Sequence, residues 1–226
     1  MLSIIIPVLN EEQALPSTLD RLSEQASHEQ VIIVDGGSTD NTESICRNYP
    51  HMGYIKSDKG RARQMNTGAR HANGDDLLFL HADTVLPEDA LRDIHISLNV
   101  NGHLAGGFAH SFGSDDWRLR LISFLDNHRC QQTKIIYGDQ AMFVKRSLFD
   151  KLGGFPDVAI MEDICFCEGL VKHCTPVILE APVITDPRKF VKMGIWRSLL
   201  RVITIQIRHE LNIPVAKDNP FFAEVR

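Results

Sequence analysis

The stretch VIIVDGGSTDNT, residues 31–42, runs from five strand-like residues through a glycine turn into the start of a helix. Residues 31–35 are apolar up to the final Asp35, the pattern of a strand covered on both faces. Gly36 and Gly37 allow a sharp turn, and Asp40 with Glu43 has the spacing of a capping box. Upstream, residues 2–8 form a second apolar run, followed by Leu15, Leu19 and Leu22 at helical spacing. Downstream, a third strand is expected around 52–57, a helix over 61–72, and a fourth strand in DDLLFLHAD, 75–83. The resulting β-α-β-α-β-α-β order predicts an α/β fold with a Rossmann-like, mostly parallel sheet and flanking helices. Open sheets of this kind bind ligands outside the carboxyl ends of their strands, where Asn10, Asp35, Ser57–Asp58 and His81–Asp83 all fall.

The second half is less regular. A helix is expected over 88–98 and a strand in HLAGGFAHSF, 103–112. QAMFVKRSLFDKLGGF, 140–155, suggests a strand, a short helix and a Gly-Gly turn. A helix over 161–172, two short strands near 176–184 and a helix over 192–210 complete the reading. With no repeat or linker, residues 1–226 are expected to form one domain: a nucleotide-binding half to about 100, then an acceptor-binding half and C-terminal helix.

A formal net charge of −5 argues against nucleic acid as a partner, so an anionic substrate needs local positive charge or a metal. The five cysteines are irregularly spaced, as expected of free thiols in a reducing cytosol rather than a zinc ribbon. The N-terminal apolar run contains Pro7 and has no basic start, so it reads as a strand rather than a signal peptide. No apolar run approaches the ~20 residues that span a bilayer. Cytoplasmic residence is therefore expected, with peripheral contact at the inner membrane face as one option for residues 192–210. There Trp196, Leu199, Leu200, Ile203 and Ile207 share a stripe beside Arg197, Arg201 and Arg208. Core packing or a homodimer is the other option for that stripe.

Four clusters could carry chemistry. Asp35 could hold a base or ribose, or simply cap Gly37 or Ser38 in its turn. In KGRARQMNTGA, 59–69, basic residues sit at a helix start, where backbone donors already favour anions. Asp83, after an apolar strand, offers a hard oxygen ligand to Mg²⁺ or Mn²⁺, with His81 two residues earlier expected on the same side. Glu162 and Asp163 open a helix, where acids either favour the dipole or provide a base for a hydroxyl nucleophile.

Together SIIIPVLNEE, VIIVDGGSTDNT, GRARQMNTGA, LFLHADT, GDQAMFVKRSLFDKLGGF, MED and DPRKF resemble a family 2 glycosyltransferase of the GT-A fold, within a compact bacterial subgroup. The resemblance implies an inverting transferase that moves a sugar from a nucleotide diphosphate, UDP favoured, to an acceptor hydroxyl. Pro7, Asn10 and Glu11 would line the nucleotide pocket, with Asp35 at the base and Ser38 near the base or ribose. Arg61, Gln64 and Asn66 would help hold the nucleotide. Asp83 would meet Mn²⁺ or Mg²⁺, Asp163 would be the base, and Glu162 would support it. Two alternatives are a nucleotide-sugar-binding module without catalysis and a sugar-phosphate nucleotidyltransferase; PVLNEE stands where the latter carries a glycine- and lysine-rich loop.

Three departures from the family pattern matter. His81 stands where an aspartate is usual, ICFCEGLVKH replaces a basic stretch after Asp163, and only PRKF around Arg188 stands for the Q-x-x-R-W element of processive synthases.

Overall fold

In the computed structural model, which describes residues 1–158, 160–211 and 213, the sheet begins with β1 (Leu2–Val8). Ile4, Ile5 and Ile6 are each 0% exposed because both faces of the strand are covered. The pleat sends Ile4 and Ile6 to one core, with Leu15, Leu19 and Leu22 of α1 (Leu15–Gln25). Ile5 enters a second core on the opposite face, with Ala62, Met65 and Ala69 of α3 (Arg61–His71). Each fully buried isoleucine contributes about 1.5–3 kcal/mol relative to exposure.

Parallel pairing joins β1 to β2 (Gln30–Asp35) and to β4 (Asp76–Phe79), and β2 to β3 (Gly53–Lys56). The sheet continues antiparallel through β7 (Phe143–Lys145) to β6 (Ala105–Phe112), then parallel to β8 (Val177–Thr185), which pairs with the short edge strand β5 (Thr84–Val85). The order is β3-β2-β1-β4-β7-β6-β8-β5. One sheet therefore runs through both halves of the chain.

Several elements differ from expectation for identifiable reasons. β4 stops at Phe79, and residues 81–83 turn, with the Thr84 N–H donating to the His81 carbonyl. Strand alternation therefore does not relate His81 to Asp83. The helix α2 (Thr42–Cys46) has no capping box: Asp40 accepts from the Thr42 N–H and hydroxyl, while Glu43 pairs with Arg47 and Lys56. α4 (Ala90–His95) runs on as a π-helical turn to Val100. β8 is one strand whose register against β6 shifts between Phe108 and Ala109, not two strands.

A 17-residue helix, α5 (Trp117–Thr133), fills a segment that carried no assignment. α6 (Arg146–Leu152) and α7 (Glu162–Leu170) follow as expected. The C-terminal helix is two, α8 (Arg188–Met193) and α9 (Ile195–Glu210). They meet at Gly194, whose φ of 89° favours glycine and breaks the helical path. Residues 214–226, the end of the expected acceptor-binding half, lie outside the described residues. Among the described residues no helix is long and apolar enough to cross a membrane.

Candidate active site

The loops after β1 and β2 are stitched to each other. The Asn10 N–H donates to Ser38 Oγ at 2.9 Å, and Asn10 Oδ1 accepts from the Thr39 N–H at 2.8 Å. Asn10 has φ 56°, a left-handed conformation that Asn tolerates. The Glu11 N–H donates to Thr42 Oγ1, and Pro7 lies half-buried in β1 just before this loop.

Asp35 is 1% exposed. Its Oδ1 accepts from the Gly37 N–H, the Ser38 N–H and the Ser38 hydroxyl, and its Oδ2 from the Tyr54 hydroxyl at 2.6 Å. The turn-capping role is thus present. Oδ2, with one donor, keeps a second lone pair for a base N–H. Burial and Asp35 push the Tyr54 phenol up, so it stays a donor.

Two residues expected at the nucleotide are engaged with the scaffold. Gln64 Nε2 donates to the carbonyls of Val8 and Val34, pinning α3 to the ends of β1 and β2. Asn66 both donates to the Phe155 carbonyl and accepts from the Phe155 N–H, which docks α3 onto the Gly-Gly turn. These bonds act on the fold; Asn66 is not grouped with the charged residues described next.

At the turn after β4, Asp83 Oδ2 meets the Lys189 ammonium at 3.0 Å. The same ammonium lies 2.8 Å from Glu11 Oε1, and Arg188 reaches Glu11 Oε2 at 2.6 Å. Burial alone would raise the Asp83 pKa; Lys189 and Arg61 outweigh it and hold the carboxyl below its usual range. α8 thus supplies two cations to a carboxylate pair formed by the ends of β1 and β4. Sequence reading assigned neither Lys189 nor Arg188 to the site.

Arg61 sits at the first turn of α3, its side chain 38% exposed, with Nε 3.4 Å from Glu162 Oε1. Burial opposes its charge, but Glu162, Asp163, Asp83 and Asp139 together hold the guanidinium more firmly protonated than usual. One cation thereby feels the acids of three separate segments. Burial, then the Arg61 charge, push the His81 imidazole down to about 3, against the pull of Asp83. His81 is therefore a neutral ring at physiological pH.

Asp163 lies in the first turn of α7. Its Oδ2 accepts from the Gly138 N–H at 2.6 Å, and its Oδ1 from the Ile164 N–H. Each oxygen retains a lone pair. Met161, the residue before Glu162, has φ 66°, a left-handed conformation uncommon for such a side chain. Strain of this kind persists only where the surroundings enforce it. A Cβ on Gly138 would fall 2.5 Å from His81 Nε2 and 3.1 Å from Asp163 Oδ2, so a side chain there would have to displace one of the two.

Asp139 is next in that loop, in a stretch for which the sequence assigned no role. Burial pushes its carboxyl up to about 6, against His110 and with Asp126, Asp163 and Asp83 adding to the rise. Its Oδ2 lies 3.7 Å from His110 Nε2. The signal was the Gly-Asp pair in YGDQ, 137–140, whose meaning depends on contacts far along the chain.

The donor chemistry suits a hard divalent cation at Asp83. Buried His81 Nε2 and Asp139 Oδ1 have no hydrogen-bond partner among the described residues, and Asp83 already holds the Lys189 ammonium. The tight triad of metal-type ligands among the described residues lies elsewhere, at Cys165, Glu168 and His209, where Glu168 and His209 already pair at 2.8 Å.

The sequence model described as Glycosyl transferase family 2 matches residues 3–153. A PGL/p-HBAD biosynthesis glycosyltransferase of Mycobacterium bovis is 31% identical over 167 residues, covering 69% of this chain and 63% of that protein. The chain thus spans less than two thirds of that relative's length. A mannosyltransferase, PcManGT from Pyrobaculum calidifontis, solved with GDP-Man and Mn²⁺, superposes with a TM-score of 0.69 at 24% identity, over 98% of this chain and 66% of that one. S. aureus TarS 1-349, solved with UDP-GlcNAc, gives 0.65 at 18%, over 96% and 68%. At these identities the likeness is one of fold, and that fold is GT-A.

Proposed function

The chain belongs to glycosyl transferase family 2, and from that premise we propose that it is an inverting sugar transferase using a nucleotide-diphosphate donor and an acceptor hydroxyl. The observation that carries the reading is a carboxylate on each side of one site: Asp83, ion-paired with Lys189, and Asp163, fixed by the Gly138 N–H beside the Arg61–Glu162 pair. A site with a metal-type carboxylate and a candidate base on two different elements suits displacement between a diphosphate and a hydroxyl.

The base and ribose of the donor lie against the stitched loops, at Pro7, Asn10, Glu11, Asp35 and Ser38. Arg61 and Lys189 neutralise the diphosphate as its bond to the sugar breaks and charge develops on the leaving oxygen. A divalent ion, Mn²⁺ or Mg²⁺, would be held by Asp83 with His81 or Asp139 and would add Lewis-acid stabilisation to that leaving group. An ion held there would compete with the Lys189 ammonium for Asp83.

Asp163 accepts the proton from the acceptor hydroxyl through a free lone pair while the Gly138 N–H fixes its orientation. The acceptor oxygen bonds to the anomeric carbon as the bond to the diphosphate breaks, and the leaving electrons stay on the phosphate. One in-line displacement inverts that carbon, through an oxocarbenium-like state analogous to that of glycosidases. Glu162, 3.4 Å from Arg61, holds that cation in place beside Asp163. The free cysteines accord with a cytoplasmic location.

The ion pair of Lys189 with Asp83 favours one competing reading, a binding module in which lysine occupies the metal's place. A screen of UDP- and GDP-sugars with Mn²⁺, Mg²⁺ or chelator tests both, reading melting temperature and nucleoside diphosphate release. The transferase reading predicts a metal-dependent stabilisation with release for at least one donor. Stabilisation indifferent to chelator and without release would support the binding module.

A further inference from the structure

The helices α5 and α9 lie side by side. Leu119 and Ile122 of α5 pack with Ile195 and Leu199 of α9 in a small core of their own. Trp117 meets Trp196 near the N-terminal ends, with ring centroids 6.2 Å apart. Tyr137, just past α5, receives a hydrogen bond from Gln206, late in α9. The pair therefore runs in the same general direction, with one shared buried seam.

Both helices are also apolar on their outer sides. Trp117, Leu121 and Phe124 recur at helical spacing on α5, as do Trp196, Leu200 and Ile207 on α9. Trp117 is 66% exposed, Phe124 67%, Trp196 50% and Leu200 65%. The three aromatic side chains alone expose on the order of 300 Å², the size at which an apolar patch marks an interaction site. A surface helix normally turns charged residues outward, whereas α5 turns Trp117, Leu121, Phe124 and Leu125 outward over two turns.

We propose that this paired face docks onto an anionic lipid bilayer. Residues 188–210 carry six basic residues against one acidic, in a chain whose net charge is −5. Arg188 and Lys189 are engaged with Glu11 and Asp83, but Lys192 and Arg197 are exposed beside the stripe, as is Arg120 on α5. Among the nearby acids, Asp116 is paired with Arg118, Asp115 lies at the edge, and Glu210 at the far end of α9. Tryptophan with a basic rim suits the interface between headgroups and acyl chains, where the ring is buried and cations meet lipid phosphates. Self-association through the same face would set one basic rim against another.

The docking stands on this surface and not on the transfer reaction. Its consequence for the reaction is positional: α9 bonds Tyr137, in the loop that carries Gly138 and Asp139, so a docked α9 holds the acceptor side of the site near the bilayer.

The test is co-sedimentation of the full chain with vesicles of phosphatidylcholine alone or mixed equally with phosphatidylglycerol. Wild type is expected in the pellet with the anionic vesicles, and a Phe124→Ser/Leu200→Ser variant to lose at least about tenfold in bound fraction. Arg120→Glu/Lys192→Glu/Arg197→Glu should remove the preference for anionic lipid. Melting curves establish that both variants fold, and the donor-induced thermal shift, unchanged in both, separates loss of docking from loss of the transferase site. Wild type remaining in the supernatant with both vesicles overturns the proposal. So does a lipid-free dimer by size-exclusion chromatography that Phe124→Ser/Leu200→Ser splits, which would assign the face to a second copy.

Discussion

The backbone N–H of Gly138 donates a 2.6 Å hydrogen bond to Oδ2 of Asp163, tying the loop after α5 to the first turn of α7. The contact orients one carboxylate and leaves no room for a side chain between it and His81. Gly138→Ala must displace either His81 or Asp163. The predicted result is at least a tenfold fall in kcat with little change in donor-induced stabilisation, since the nucleotide loops lie elsewhere. Wild-type turnover in Gly138→Ala would show that this approach has no bearing on the chemistry.

Lys189 stands between Glu11 and Asp83. Lys189→Ala leaves two neighbouring carboxylates without their shared cation, so the variant should melt lower than wild type without added metal and gain more from Mn²⁺. Melting curves with and without Mn²⁺ check this; equal Mn²⁺ shifts in the two proteins would mean that the ion binds away from this pair.

Asn66 gives both ends of its amide to the backbone of Phe155. Asn66→Ala should cost about 1–3 kcal/mol of stability by leaving backbone groups unpaired. Its donor-induced thermal shift should match wild type, in contrast to Arg61→Ala. A selective loss of donor binding in Asn66→Ala would return the residue to the nucleotide site.

Partial burial, with Asp126, Asp163 and Asp83 adding to it, pushes the Asp139 carboxyl up to about 6 from its ordinary 3.8. A carboxyl whose folded pKa is raised holds its proton longer in the native state, so stability falls as pH rises from about 4 to above 6. The side chain is 33% exposed, so solvent screening reduces this cost to about 1 kcal/mol. Asp139→Asn should therefore melt higher than wild type at pH 8 and alike near pH 4. Identical differences at both pH values would place Asp139 in a wetter setting than its contacts indicate.

The first half of the fold was legible because its signals are local. Alternating apolar runs and helical periods set the first four strands, and with them the positions of Asn10, Asp35 and Arg61 at strand and helix ends. α5 was not, because Leu119 and Ile122 face the core while Leu121 and Phe124 face outward, which blurs any single period. Lys189 was missed for a different reason. It meets Asp83 across 106 residues and Glu11 across 178, and no spacing rule reaches that far. Gln64 and Asn66 look like ligand residues by type, yet their partners are backbone groups that only the folded chain brings near.

Replacing the Asp163 carboxylate by an isosteric amide keeps the acceptor for the Gly138 N–H and removes the proton acceptor. With a donor found by the nucleotide-sugar screen, Asp163→Asn should bind that donor as wild type does by thermal shift and transfer sugar ~10²–10⁴-fold more slowly. Turnover within a factor of a few of wild type, in a variant that binds donor normally, would contradict the assignment of Asp163 as the base.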